Sequence, residues 1–156
     1  MSVKPINSED VPAKKGQSIY PPPFSLFVAG RTKRKLGDVF GLGNFGVNHT
    51  KLEPGAMSAL FHSHSKQDEF IYILEGTPTV KIGDEEYIMK SGECIGFAAG
   101  SGLAHQLVNN SDGNVVYLEI GDRTPNDNVE YPNDDIKASC SSNNIWVLTH
   151  KDGTPY

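Results

Sequence analysis

Residues 55–76 read GAMSALFHSHSKQDEFIYILEG and predict two β-strands joined by a polar turn. The first strand covers residues 57–64, and the second begins at Glu69. Side chains two positions apart point to the same face of a strand, so His62 and His64 should converge on one point. Glu69 should reach that point from the next strand. The stretch therefore predicts a β-fold that concentrates two imidazoles and a carboxylate.

Short apolar runs separated by turn residues continue on both sides of this stretch. The chain has 16 glycines and 10 prolines between runs rich in Val, Ile, Phe and Tyr, and helical periodicity is scarce. Such runs at regular spacing are typical of an all-β sandwich or barrel. The predicted strands number about eight and cover residues 45–52, 57–64, 69–74, 77–82, 86–89, 93–97, 104–108 and 115–120.

The length of the chain indicates a single domain. At 156 residues and 17.0 kDa, the chain is long enough to bury its own core. We predict a flexible N-terminal tail over residues 1–16 and one domain over residues 17–156, with its barrel core at residues 45–120. A short C-terminal extension follows the core, with one helical turn at residues 133–137 and a last strand at residues 145–149.

The composition argues against several classes of protein. A net charge of -5 and a pI near 5.5 argue against nucleic acid or an anionic membrane as the main partner. The polar N-terminus has no apolar region of a secretory signal, and no apolar run is long enough for a transmembrane helix. Cys94 and Cys140 do not form a disulfide framework. We therefore expect a cytoplasmic protein with a small-molecule partner.

One local exception to the acidic composition is the segment Arg31–Lys35, which contains four cations in five residues. Two interpretations are open. The segment is either a solvated loop or the edge of an interface, or it contacts a phosphate or another anion.

An extended arm precedes this segment. The sequence YPPP at residues 20–23 favours a polyproline-like conformation, and the apolar residues 24–28 that follow require burial. This arm and outward-facing aromatic side chains such as Tyr72 supply surface for an interface. We therefore expect a homodimer.

A fourth candidate ligand, His105, follows a glycine-rich stretch. Three imidazoles and one carboxylate are a donor set that suits a divalent transition metal such as Zn²⁺, Mn²⁺, Fe²⁺ or Ni²⁺. Four protein ligands on an octahedral ion leave two positions for water or a substrate. The same four ligands would fill a tetrahedral zinc site and make it structural. The sequence leaves both geometries open.

The complete pattern is Gly55-x6-His62-x-His64-x4-Glu69-x6-Gly76, followed by Gly92-Glu93 and by Gly100, His105 and Asn109. It resembles the two signature motifs of the cupin superfamily. The resemblance covers residues 45–120 and implies a double-stranded β-helix, or jelly-roll barrel, with an N-terminal arm and a short C-terminal extension. It also implies that the metal ligands are His62, His64, Glu69 and His105.

The chain departs from the family pattern in two places. The first motif has one additional residue before His62. The second has Ala98 where a proline is usual and a wider spacing between Gly100 and His105. Two alternatives therefore stand for His105, which either completes the ligand set or is displaced from it.

The flanking residues resemble small single-domain cupins labelled sugar-phosphate-isomerase-like. This resemblance implies a metal-binding protein that holds a small polar or anionic, sugar-like ligand at the barrel mouth. The expected activity is of isomerase, lyase or dioxygenase type, although the sequence does not identify a catalytic base. The alternatives are a non-catalytic binding or sensor protein with a structural metal, and a homodimer whose metal is purely structural.

Overall fold

The computed structural model of the chain describes residues 3–156. The helical elements within this range are short: two 3₁₀ helices at Ser8–Asp10 and Phe24–Val28, and one α-helix, α1, at Leu36–Val39. None of the helices described is long and apolar enough to cross a membrane. The strands are β1 (Lys14–Lys15), β2 (Arg31–Lys35), β3 (Phe45–Leu52), β4 (Ser63–His64), β5 (Glu69–Glu75), β6 (Thr79–Ile82), β7 (Glu85–Ile88), β8 (Cys94–Phe97), β9 (His105–Val108), β10 (Val115–Asp122), β11 (Asn128–Glu130), β12 (Lys137–Cys140) and β13 (Trp146–Thr149).

The strands form the two walls of an antiparallel barrel. The first wall is a six-stranded sheet in the order β1-β2-β3-β10-β5-β8. The second wall contains a four-stranded sheet, β13-β12-β11-β4, and a three-stranded sheet, β7-β6-β9. Isolated bridges between Met57 and Val108 and between His62 and His105 join these two smaller sheets. The prediction of an all-β jelly-roll barrel is confirmed.

The core lies between the two walls and follows from the period-two alternation of the strands. On β5, Ile71 and Ile73 are buried while Phe70 and Tyr72 are exposed. Opposite them, Leu107 on β9 is fully buried. These side chains belong to one cluster that also contains Leu52, Ala56, Val80, Met89, Phe97, Val115 and Tyr117.

The C-terminal extension has a second, smaller core. Tyr131 and Ile136 pack with Leu60, Val129 and Ala138. Tyr20 from the N-terminal arm and Trp146 from β13 pack against this cluster. Both ends of the chain therefore meet at one mouth of the barrel.

The strand predicted over residues 57–64 is wrong for most of its length, because only Ser63–His64 is a strand. In this stretch, side chains rather than a neighbouring strand donate to the backbone carbonyls. The Arg31 guanidinium donates to the Ser58 carbonyl, and the Gln106 amide donates to the Ala59 carbonyl at 2.7 Å. These bonds satisfy the backbone without a continuous ladder.

Two further local predictions differ from the structure. The helical turn predicted at residues 133–137 is wrong, because that stretch is a non-helical turn that leads into β12 at Lys137. The basic segment Arg31–Lys35 is strand β2, paired with β3, and not a loop. The flexibility predicted for residues 1–16 stays a prediction. Within that range the structure has a 3₁₀ helix and strand β1, which pairs with β2.

Candidate metal centre

Three elements of the barrel bring the four predicted ligands together. His62 and His105 form a bridge in which each backbone N–H donates to the carbonyl of the other residue, at 3.1 and 2.8 Å. His64 ends β4, and Glu69 begins β5 after the polar turn. We call these four residues the His–Glu cluster.

The cluster converges on one oxygen atom. The Nε2 atoms of His62, His64 and His105 lie 3.3, 3.6 and 2.8 Å from Oε2 of Glu69. The wider spacing of the second motif therefore does not displace His105. The donor atoms of His62, Glu69 and His105 lie within 4.8 Å of one another and could hold a metal ion. His64 is close to the same oxygen but lies outside this tighter group.

Hydrogen bonds at the outer nitrogens set the orientation of two imidazoles. Nδ1 of His62 lies 2.7 Å from the Leu60 carbonyl, and Nδ1 of His64 lies 2.5 Å from Oδ2 of Asp127. A carbonyl oxygen and a carboxylate can only accept, so each Nδ1 carries the proton and donates it. In the neutral ring each Nε2 then presents a lone pair toward the Glu69 carboxylate. Such an arrangement of facing lone pairs fits a bound cation.

His105 is held differently. Its ring stacks on Phe97 with the ring centroids 3.5 Å apart and the planes nearly parallel. Its Nδ1 is buried and has no hydrogen-bond partner among residues 3–156. Packing, not a hydrogen bond at Nδ1, therefore orients this imidazole toward Glu69.

Mutual contacts also shift the acidities within the cluster. Burial alone would raise the pKa of Glu69, but the hydrogen bond from His105 and the close approach of the His62 and His64 imidazoles outweigh it and hold the pKa well below its ordinary value. Burial would lower the pKa of His62, but its contact with Glu69 prevails and raises it. For His105 burial prevails, and its pKa is lowered. Glu69 is therefore an ionised carboxylate, as a metal ligand must be.

A cavity of about 460 Å³ opens beside the cluster, within the size range of small-molecule sites. His62, Glu69 and His105 line it. His64 instead lines a much smaller cavity, of about 10 Å³, that Glu69 and His105 also line. Three aromatic residues from the two chain ends also line the main cavity: Tyr20, Tyr131 and Trp146.

Four cationic side chains line the main cavity as well. Alternation on β2 places Arg31, Lys33 and Lys35 on one face, and pairing of Lys14 with Lys33 adds a fourth cation from β1. We call this set, Lys14, Arg31, Lys33 and Lys35, the cationic face. Arg31 is only 7% exposed, and its guanidinium donates to the neutral carbonyls of Ser58 and Gln17. Its charge is therefore not neutralised by those contacts.

Glu119 on β10 is a second carboxylate in the main cavity. Its Oε1 accepts from Lys33 at 2.5 Å and from the Asn48 amide at 3.2 Å. Burial would raise the pKa of Glu119, but the neighbouring Lys33 ammonium outweighs burial and lowers it. Glu119 cannot be singled out from the sequence alone, because its position in an ordinary strand pattern carries no local signal.

Glu119→Gln should lower the free energy of unfolding at neutral pH by about 1–3 kcal/mol, because it leaves the Lys33 ammonium without its carboxylate. The folded-state pKa of Glu119 is lowered, so its stabilisation is present above the pKa of the unfolded chain and is lost as pH falls through the folded-state pKa. The difference between the two proteins should therefore shrink in acid. Urea unfolding across a pH series measures it.

Glu53→Gln is the matched control. The Glu53 pair with Lys15 is exposed to solvent and should contribute little. A difference for Glu119→Gln that is as large in acid as at neutral pH would contradict the assignment.

Two aromatic residues position the cluster from the chain ends. Tyr131 stacks on His62 with ring centroids 6.0 Å apart, and Tyr20 meets Tyr131 edge-on at 5.8 Å. Burial raises the pKa of both phenols, so both hydroxyls stay protonated. Sequence patterns could not identify them, because the two residues are far apart in the chain.

Comparisons with known proteins agree with this architecture. A model of the cupin domain matches residues 48–121. A sugar phosphate isomerase of the cupin superfamily from Silicibacter pomeroyi is 35% identical to the chain, with a TM-score of 0.91 over 98% of this chain and 96% of that one. A protein from Acidithiobacillus ferrooxidans, provisionally named a sugar phosphate isomerase, is 30% identical, with a TM-score of 0.72 over 81% of this chain and 80% of that one.

A more distant structure supports the fold alone. The polyketide cyclase from Streptomyces resistomycificus is 22% identical, with a TM-score of 0.62 over 78% of this chain and 80% of that one. None of the curated protein sequences compared with the chain matches it. The cupin domain match, together with 35% identity over nearly the full length of both chains, leads to one conclusion: the chain belongs to the cupin superfamily.

Proposed function

We propose that this cupin binds one divalent transition metal through His62, His64, Glu69 and His105, and holds a small anionic, sugar-like ligand beside it. One observation carries the proposal: three of the four donors, His62, Glu69 and His105, line the same cavity of about 460 Å³ as the cationic face. A ligand in that cavity could bind the metal through its oxygen atoms and contact the positive charges of the cationic face.

The donor set supports the metal part of the proposal. Three imidazole nitrogens surround one ionised carboxylate oxygen at 2.8–3.6 Å, and such mixed nitrogen and oxygen donors suit Mn²⁺, Fe²⁺, Ni²⁺ or Zn²⁺. A bound metal would supply Lewis acidity toward hydroxyl or carbonyl oxygens of a ligand.

The cationic face supports an anionic ligand. Lys14 and Lys35 extend from neighbouring strands and are exposed, so their ammonium groups are free to rearrange around an incoming anion. The nearest acid to Lys35 is Asp38, at 3.9 Å. The sugar phosphate isomerase named among the similar structures supports the same ligand class, since a sugar phosphate combines hydroxyl oxygens with a dianionic group.

Glu119 is the residue we propose for proton transfer. It is ionised because its pKa is lowered, and its carboxylate lines the cavity together with the His–Glu cluster. Lys33 holds Oε1, while Oε2 has only a long contact of 3.4 Å with the Tyr117 hydroxyl. Oε2 is therefore the atom that would accept a proton from a bound ligand, as an isomerase requires.

The ion pair between Glu119 and Lys33 also favours a second candidate function. A carboxylate held at 2.5 Å by an ammonium is a weaker base than a free one, because its ionised form is stabilised. A non-catalytic binding or sensor protein with the same metal and ligand would keep this pair intact.

Metal analysis followed by calorimetry tests the proposal. Protein purified without chelators should carry close to one equivalent of a divalent transition metal, and glucose 6-phosphate should bind more tightly than glucose. Absence of stoichiometric metal, or equal affinity for the two sugars, would overturn it. Exchange of ligand protons with deuterated water, followed by NMR, separates the enzyme from the binding protein.

A further inference from the structure

Asp127 is a buried carboxylate outside the segment matched by the cupin domain model, which ends at residue 121. It precedes β11 and is 0% exposed. Its Oδ2 accepts from Nδ1 of His64 at 2.5 Å, and its Oδ1 accepts from the Ser65 hydroxyl at 2.9 Å and the Lys66 backbone N–H at 2.7 Å. All three side-chain hydrogen bonds of Asp127 therefore go to the segment that carries His64.

The backbone holds this carboxylate in place from two directions. The Cys140 N–H donates to the Asp127 carbonyl at 2.8 Å, which ties the residue to β12. Next to it, the Ser65 N–H donates to the Asn128 carbonyl at 2.9 Å, and β11 pairs with β4 through Val129 and His64. The C-terminal extension thus delivers a rigidly placed acceptor to one imidazole of the His–Glu cluster.

We infer that Asp127 is a positioning residue that keeps His64 in the Nδ1–H form, with the Nε2 lone pair turned to the metal position. This inference rests on the proposed function. Ligand imidazoles commonly donate their second nitrogen to a carboxylate, which fixes both tautomer and ring orientation. His64 lies farther from Glu69 than His62 and His105 do, and its contact with Asp127, at 2.5 Å, is shorter than its 3.6 Å contact with Glu69.

Asp127 accepts every hydrogen bond that its side chain makes, so replacing one of its oxygens with an amide nitrogen has a defined effect. The Lys66 backbone N–H can only donate, so in Asp127→Asn the amide oxygen must remain at the Oδ1 position. The amide NH₂ then faces Nδ1 of His64 and donates to it. His64 is forced into the Nε2–H form, in which Nε2, the atom that faces the metal position, has no lone pair. Asparagine therefore reverses the tautomer while nearly preserving the shape.

The chain contains a matched control for this change. Asp135 accepts from Nδ1 of His150 at 2.8 Å and from the Lys151 backbone N–H at 3.0 Å. This pair has the same chemistry as that of Asp127 but is exposed and does not line the main cavity. Asp135→Asn should therefore leave metal binding unchanged.

The first measurement needs no variant. Nitrogen-15 NMR of histidine in the metal-free wild-type protein reports the tautomer of each ring, and His64→Gln assigns the signal. We expect the neutral His64 ring in the Nδ1–H form. An Nε2–H form would overturn the inference, whatever the variants do.

The second measurement is a Zn²⁺ titration against a competing chelator. Asp127→Asn should weaken Zn²⁺ binding by about 10–100-fold and shift the His64 signal to the Nε2–H form, whereas Asp135→Asn should do neither. Unchanged Zn²⁺ affinity in Asp127→Asn, with metal bound by the wild type, would overturn the role of Asp127 alone. Failure of the wild type to bind Zn²⁺ would instead overturn the metal part of the proposed function.

Discussion

The double variant His62→Ala/His105→Ala is expected to lose metal binding almost completely. These two residues and Glu69 form the tighter donor group, and the substitution leaves one imidazole and one carboxylate. Because four-ligand structural Zn²⁺ sites in zinc-finger peptides have apparent binding free energies of about 10–16 kcal/mol, removing half of the ligands should weaken Zn²⁺ affinity by on the order of 1,000-fold or more. Metal content after dialysis and a Zn²⁺ titration measure the loss.

The control for this variant is His49→Ala/His150→Ala. His49 contacts Glu9 on the outer side of the barrel, and His150 contacts Asp135, so neither histidine lines the main cavity. The control should keep a full equivalent of metal. Retention of that equivalent by His62→Ala/His105→Ala would refute the ligand set, provided that unfolding transitions show both variants to be folded.

The double variant Lys14→Gln/Lys35→Gln should weaken the binding of glucose 6-phosphate by on the order of 100-fold or more, because a hydrogen bond to a charged group contributes about 1.5–3 kcal/mol. Both lysines line the main cavity and neither supports the fold through a buried contact. Binding of uncharged glucose should change little. Calorimetry with the two sugars at low and high salt measures the difference, which salt should reduce.

Lys15→Gln is the control, because Lys15 is next to Lys14 on β1 but points the other way and pairs with Glu53 at 2.6 Å. It should leave both affinities unchanged. A loss of glucose 6-phosphate binding as large in Lys15→Gln as in the double variant would mean that net charge alone attracts the anion. Arg31 and Lys33 are less suitable targets, because their contacts with Ser58, Gln17 and Glu119 also support the fold.

The two experiments address separate halves of the site. Loss of the histidines should remove the metal while the cationic face stays in place, whereas loss of the lysines should leave metal content unchanged. If both variants lose both properties, the cavity itself has collapsed. Unfolding curves would then show a common destabilisation.

Periodicity in the sequence predicted the parts of the fold that depend on neighbouring residues. Strand β3 was predicted with the bounds it has, and Tyr72 on β5 faces outward as alternation predicted. The prediction failed where side chains from distant residues intervene. At residues 57–62, Arg31 and Gln106 take the backbone carbonyls, and a local pattern contains no information about them.

The candidate site shows the same division. Spacing on one strand and the resemblance to cupin motifs were sufficient to select His62, His64, Glu69 and His105, although their role as ligands stays a prediction. The basic segment Arg31–Lys35 was visible in the sequence, but the sequence did not show which of its side chains face the cavity. Only the pairing of β2 with β3 and β1 turns one of its faces into the cavity.

The sequence by itself determined the succession of short strands and turns, the residue types that could bind a metal, and the presence of a dense cationic segment. Each of these depends on residues within a few positions of one another. Only the tertiary structure decided which distant partners complete the site. Lys33 meets Glu119 across 86 positions, and His64 meets Asp127 across 63. The physical reason is that strand register and the path of the C-terminal segment back to the barrel bring such groups together. Neither produces a periodic pattern in the sequence.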